Sequence, residues 1–199
     1  MDRDKTATAP RVKRIEMAER IADSLLECGR AQIPLRDLAA RLGTSDRMLL
    51  YYFSDKADLI RCSLEIVSAR LTALLAGALP TGAPAPGALA EDALHLLLSE
   101  ALSPYMAVWG DLVARAGRRE EPFRLIAEAI MAGWQAWIEG RLDGVDQVER
   151  SRVAAAILVM LEGARQLESI RPGAAQGALD ILIGGFDRKE RSAALPSSE

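Results

Sequence analysis

The sequence predicts an all-α protein in which a small three-helix unit precedes a larger helical bundle. Ala, Leu, Arg and Glu are abundant and β-branched runs are scarce, a balance that favours helix over strand. Apolar residues recur at spacings of three and four along most of the chain, with no alternating stretch of convincing strand length. Pro and Gly punctuate these segments, and the clearest break is the Pro/Gly/Ala stretch LPTGAPAPG (79–87).

Each element follows from a local pattern. The opening MDRDKTATAP (1–10) is expected to be a disordered arm. From Arg11, the residues Ile15, Ala18, Ile21, Ala22, Leu25 and Leu26 share one helical face, with Gly29 as the stop. Pro34 opens a second helix, whose face is Leu35, Leu38, Ala39 and Leu42 and whose end is Gly43. The cluster TSD (44–46) is an N-cap signal for a third helix. SDK (54–56) starts a long fourth one through Leu59, Leu64, Val67, Leu71, Leu74 and Leu75. Beyond the linker, segments near 88–102, 104–117, 121–142, 147–170 and 173–187 are separated by Pro104, Gly117, Pro122, Gly144 and Pro172. The polar tail 188–199 is expected to fray. The expected domains are therefore the arm (1–10), the three-helix unit (11–62), the bundle (63–187) and the tail.

Composition narrows the function classes. The 199 residues carry a formal net charge of −3, but it is unevenly spread. Residues 1–62 hold 12 Lys/Arg against 10 Asp/Glu, and residues 63–199 hold 13 against 18. The basic excess thus lies at the N-terminus, a modest footprint for a polyanion. No apolar run approaches the ~20 residues of a membrane span, and the start lacks a secretory h-region. Cys28 and Cys62 are too few for a disulfide framework and match no zinc spacing, so free thiols and a cytoplasmic location are expected. Nucleotide-loop, zinc-protease and nucleophile-elbow motifs are missing, and the single histidine, His95, makes no metal site alone. Neither an enzyme nor a cofactor is expected. Set among Leu94, Leu96, Leu97 and Leu98, His95 reads as a buried or half-buried helix residue.

The chemistry concentrates in TSDRMLLYYFSDKADL (44–59), which holds three consecutive aromatic residues. Two short helices joined by the tight Gly43-Thr44-Ser45 turn describe a helix-turn-helix, although spacing alone also fits an ordinary αα-hairpin. With Leu49 at the origin of a helical wheel, Phe53 falls at about 40° and Tyr52 at about 300°, on one face. Arg47 at about 160° and Tyr51 at about 200° point the other way. That division suits a recognition helix, because side chains reading base edges cannot also pack their own domain.

The run IPLRDLAARLGTSDRMLLYYFSDKADLI also resembles the DNA-binding signature of the TetR (tetracycline-repressor) family of bacterial regulators. The resemblance spans roughly Arg11 to Ile60. LAARLG corresponds to the first helix of the motif, TS to its turn, and YF with Lys56 and Leu59 to an aromatic-then-lysine signature. It implies that Thr44, Ser45, Asp46, Arg47 and Met48 face the major groove, that Tyr51 is an exposed aromatic and that Tyr52 meets a phosphate. It implies a backbone grip by Lys56 and a base or phosphate contact by Arg36. Physically, Arg47 suits a bidentate guanine contact, and Asp46 suits a helix cap better than a cytosine contact. Arg11, Lys13 and Arg14 could meet phosphates or form a solvated basic arm. The family usually carries tyrosine at the position of Leu50, which has no hydroxyl to offer.

The bundle holds all three tryptophans. Met106, Trp109, Met131 and Trp134, with Trp137 nearby, would line an effector pocket for a small apolar or aromatic molecule, or would simply fill a core. RVAAAILVMLEGARQL (152–167) is apolar nearly all round, so it must be covered on several faces. The resemblance implies a homodimer through the last two helices, with Val153, Ile157, Leu161 and Phe186 expected to take part. Together these features lead to an expected ligand-responsive repressor bound to double-stranded DNA at a palindromic operator. The alternative is a helix-turn-helix protein without a small effector, controlled by a protein partner.

Overall fold

A computed structural model of the chain describes residues 4–80, 82, 84–142, 146–175 and 181, and all of its regular structure is helical. In order these are α1 (Asp4–Cys28), α2 (Leu35–Arg41), α3 (Asp46–Tyr52), α4 (Lys56–Ala78), α5 (Pro86–Leu97), a 3-10 turn (Glu100–Leu102), α6 (Ser103–Gly117), α7 (Phe123–Glu139) and α8 (Gln147–Ile170). Packing gathers them into two compact units. One comprises Met1–Ala73 with Ser103–Ile130, the other Leu74–Leu102 with Met131–Glu199. The expected boundaries run in chain order, whereas the packing is discontinuous: α4 and α7 each begin in the first unit and end in the second.

In the first unit α1 packs on α2, α3 and α6. Its buried face is Ala18, Ile21, Ala22 and Leu25. Ile15, expected on that face, is instead 53% exposed. The inward position one turn before Ala18 belongs to Arg14, whose guanidinium lies 5.4 Å from the Phe53 ring centroid. Periodicity scored on apolar residues alone selects the wrong neighbour here. Residues 4–10, expected as a disordered arm, are the first turns of α1. Pro10 sits inside the helix, where it removes one ladder donor without ending the run.

Two glycines set the turns. Gly29 has φ +61° and closes α1 with paired bonds, Arg30 N–H to the Leu25 carbonyl (3.2 Å) and Gly29 N–H to that of Leu26 (3.3 Å). A β-carbon there would stand 3.0 Å from the Ala107 Cβ on α6. Gly43, at φ +64°, repeats the arrangement after α2: Thr44 N–H bonds the Ala39 carbonyl at 3.0 Å and Gly43 N–H that of Ala40 at 3.2 Å. The segment between α1 and α2 is held from α6, where the Asp111 carboxylate accepts the N–H of fully buried Ala31 at 2.9 Å. Arg115 Nε donates to Asp111 at 3.1 Å, and its guanidinium stacks over Phe123, 5.0 Å from the centroid.

In the second unit α5 packs along α8. Leu89, Ala90, Ala93 and Leu94 are buried on the former, and Ala154, Ile157, Leu161 and Ala164 on the latter. Asp146 caps α8, its Oδ1 accepting the N–H groups of Val148 (2.9 Å) and Glu149 (3.0 Å). Arg141 donates to the Pro80 carbonyl at 3.2 Å beyond the end of α4 and lies 4.7 Å from the Trp137 ring centroid. His95, expected to be at least half-buried, is exposed in the last turn of α5, because the neighbouring Ala93 and Leu94 take the inward positions. Of the segment expected at 173–187, only 173–175 and 181 are among the described residues, and the expected tail lies outside them.

Candidate nucleic-acid interface

The site is built on α3, a helix of seven residues. Ser45 begins it in extended conformation, and its hydroxyl oxygen accepts the Met48 N–H at 3.2 Å. The cap is therefore Ser45, and Asp46, expected in that role, lies in the first turn with its side chain exposed. The geometry favours Ser45 because an N-cap needs an acceptor three residues before the donor it serves, in a residue that is itself non-helical.

Leu49 and Phe53 anchor α3, at 0% and 3% exposure. Arg47, Met48, Leu50 and Tyr51 are exposed, Tyr51 at 74%. Its ring meets that of half-buried Tyr52 edge-on, with centroids 5.4 Å apart and planes at 81°, so an otherwise free aromatic has a preferred attitude. Thr44 is half-buried in the turn, and Arg36 and Lys56 are exposed.

The cations divide into two sets. Arg14 donates to both carboxylate oxygens of Asp58 (2.8 and 2.9 Å) and reaches the Cys62 Sγ at 3.1 Å. Its guanidinium is thereby paired within the unit, although the side chain stays 38% exposed. Arg20 donates to the Leu42 carbonyl at 2.8 Å, which ties α1 to the turn. Arg70 pairs with Glu19 and Asp23 of α1. By contrast, Arg36, Arg47 and Lys56 have no acidic partner among the described residues. The side chain of Arg11 lies outside those described.

Asp58 is the residue that sequence reasoning missed. Asp55 caps α4 by accepting the Asp58 N–H at 2.8 Å, and the Asp58 carboxylate accepts the N–H and hydroxyl of Ser54 at 3.1 and 3.0 Å. Arg61 adds a further bond at 2.8 Å. Burial pushes this carboxyl up, but the Ser54 donors, Arg61 and Arg14 outweigh it and hold the group at about 2, below its usual 3.8. The hub fixes the α3–α4 corner and with it the attitude of Lys56. An acidic residue three after an acidic cap was the available signal.

The other expected sites separate by unit. Trp109 is buried and Met106 half-buried on α6 in the first unit; Trp134 is half-buried and Met131 is 43% exposed on α7 in the second. A groove of about 450 Å³ opens in the first unit, lined by Cys28, Arg30, Pro34 and Asp37 among others, and Met106, Trp109, Met131 and Trp134 are not part of its lining. Ile157 and Leu161, expected at a dimer interface, are 0% and 7% exposed within a single chain and have no surface left to give; Val153 is half-buried. Phe186 lies outside the described residues. The exposed apolar residues of α8 are instead Val148, Val159, Leu167 and Ile170, and the same side also carries Ala156, Gly163 and the 75% exposed Arg152. A helix apolar nearly all round gives no phase to its pattern, so sequence could not choose between these faces.

No protein-family model matches the sequence. No curated protein matches it either. Solved structures do resemble it. A transcriptional regulator from Rhodococcus sp. Rha1 shares 23% identity at a TM-score of 0.66, over 86% of this chain and 96% of the other. A candidate TetR-family transcriptional regulator from Rhodococcus sp. shares 19% at 0.65, over 87% and 96%. A candidate transcriptional regulator from Pseudomonas aeruginosa PAO1 shares 18% at 0.61, over 93% of each chain. At these identities the shared property is the fold alone.

Proposed function

We propose that this protein is a DNA-binding transcriptional regulator that engages a palindromic operator as a homodimer and represses until a small apolar or aromatic effector binds its C-terminal portion. The observation that carries the reading is the division of side chains on and around α3. Leu49 and Phe53 are spent on the core, while Arg47, Tyr51, Arg36 and Lys56 are exposed. A duplex offers such a surface base edges for Arg47 and phosphates for Lys56 and Tyr52. Thr44, Ser45, Asp46 and Met48 complete the candidate contacts.

Dimerisation has its own support: the exposed stripe of Val148, Val159, Leu167 and Ile170 on α8 is apolar surface that a second copy would cover. A two-fold pair would present two α3 helices about one turn of DNA apart. For the effector, the candidate side chains fall in two groups taken separately, Met106 and Trp109 on α6 of the first unit and Met131 and Trp134 on α7 of the second. By linkage, an effector that weakens DNA binding by some factor is itself weakened by DNA to the same degree.

Selection of bound duplexes from a random pool tests the reading. Enrichment of an inverted repeat with half-sites about 10 base pairs apart, or slightly more, is expected. No enrichment above the starting pool rejects DNA binding. A thermal-shift screen with apolar and aromatic compounds tests the effector; if a broad library yields no shift, control by a protein partner takes its place.

A further inference from the structure

On the exposed arc of α3, Arg47 and Tyr51 carry hydrogen-bonding groups and Leu50 and Met48 present apolar side chains. With Leu49 at the origin, Leu50, Arg47, Tyr51 and Met48 follow one another over an arc from about 100° to about 260°. All four are exposed, Leu50 at 41% and Met48 at 42%. Leu50 has neither donor nor acceptor, so phosphate bonding is closed to it. It also lies outside the core, because Leu49 and Phe53 occupy the buried side of this two-turn helix. What remains is an apolar side chain beside an exposed arginine, in a helical unit whose Arg36 and Lys56 are also exposed and have no acidic partner among the described residues.

We infer that Leu50 reads a thymine methyl group in the major groove. The inference rests on the DNA-binding reading above. Among the base-edge features of the major groove, the thymine 5-methyl is the one an aliphatic side chain recognises by contact alone. The exposed cations favour a polyanion as the occupant of this apolar strip over another apolar protein surface. Position narrows the target further. Leu50 follows Arg47 by three residues, so the two lie on adjacent rows of the helix and about 4.5 Å apart along its axis. Base pairs are stacked about 3.4 Å apart. A guanine met by Arg47 therefore places the thymine met by Leu50 one or two base pairs away. The half-site read by α3 is a mixed G/T element, in which guanine is recognised by hydrogen bonds and thymine by its methyl.

The test uses the full-length protein and the duplex it enriches from a random pool. Each thymine of the half-site is replaced in turn by deoxyuridine, which removes the methyl and leaves the hydrogen-bonding pattern intact. One replacement within two base pairs of a guanine is expected to weaken binding about four-fold, the effect of withdrawing one methyl from a buried contact. Leu50→Ala is expected to bind thymine and deoxyuridine duplexes equally at that position, while Leu50→Ile keeps the difference and Arg47→Ala does not remove it. Leu50 is exposed, so Leu50→Ala should melt at the parent temperature. If deoxyuridine has no effect anywhere, or if its effect survives undiminished in Leu50→Ala, the inference falls. Loss of all binding by a normally melting Leu50→Ala is more than one methyl contact accounts for and also overturns it. A pool that enriches no sequence removes the DNA-binding reading itself, an outcome distinct from either.

Discussion

Single residues set the direction of the sharpest tests. Arg47 and Lys56 are both exposed, and the proposed DNA binding gives the first a base edge and the second a phosphate. Arg47→Ala should weaken binding to the selected duplex by about 1–3 kcal/mol and relax preference at one base pair. Lys56→Ala should weaken binding to all sequences and flatten the salt dependence, as read by anisotropy titrations across ionic strengths. Asp58 makes a prediction about pH. Its carboxyl is held at about 2 against an ordinary 3.8, so the charged form is favoured in the folded protein. The stability this contributes, roughly 1–2 kcal/mol, is complete above about pH 5 and is lost as the pH falls through 3.8 towards 2. Urea unfolding at pH 7 and pH 3 should show about half of that loss in the parent and little of it in Asp58→Asn. The burial of Leu49 and Phe53 was legible in sequence because a two-turn helix has few ways to face a core. The commitment of Arg14 was not, since a basic residue near a basic N-terminus looks solvated until its carboxylate partner, 44 residues away, is located.

At the level of elements, turns and caps were read more easily than faces. Gly29 and Gly43 mark helix ends because both need φ near +60°, a requirement visible in sequence as glycine after an apolar run. Gly43→Ala should lower stability by about 1–2 kcal/mol through backbone strain alone, since space around it is open. Helices α6 and α8 match the segments expected at 104–117 and 147–170 closely, because Pro, Gly and a capping Asp bound them. The tether between α6 and the α1–α2 segment left no such trace. Asp111 serves a buried backbone donor of Ala31, a contact that no local pattern encodes. Asp111→Ala strands that donor and should cost about 1–3 kcal/mol in chemical denaturation. Asp111→Asn keeps an acceptor and should recover part of the loss.

For the whole molecule, the all-α architecture followed from composition and periodicity, but the grouping of helices did not, because linear order says nothing about which helices share a core. The same limit holds for the faces of α8: Ile157 and Leu161 are as apolar in sequence as Val159 and Leu167, and only packing against α5 assigns them inward. Val159→Asp, at a position 74% exposed, should leave the protomer folded and move the sedimentation profile towards monomer. A parent protein that sediments as a monomer at micromolar concentration rejects the dimer. The discontinuous first unit bears on how such a protein can be recombined. Residues 1–62 look like a cassette that could be grafted onto another regulatory half, yet α6 supplies both the neighbour of Gly29 and the acceptor for Ala31 from residues 103–117. A chimera cut at residue 62 would expose the side of α1 that α6 covers. The transferable N-terminal unit is two separate stretches of chain, and a graft that carries both should melt cooperatively where the shorter one does not.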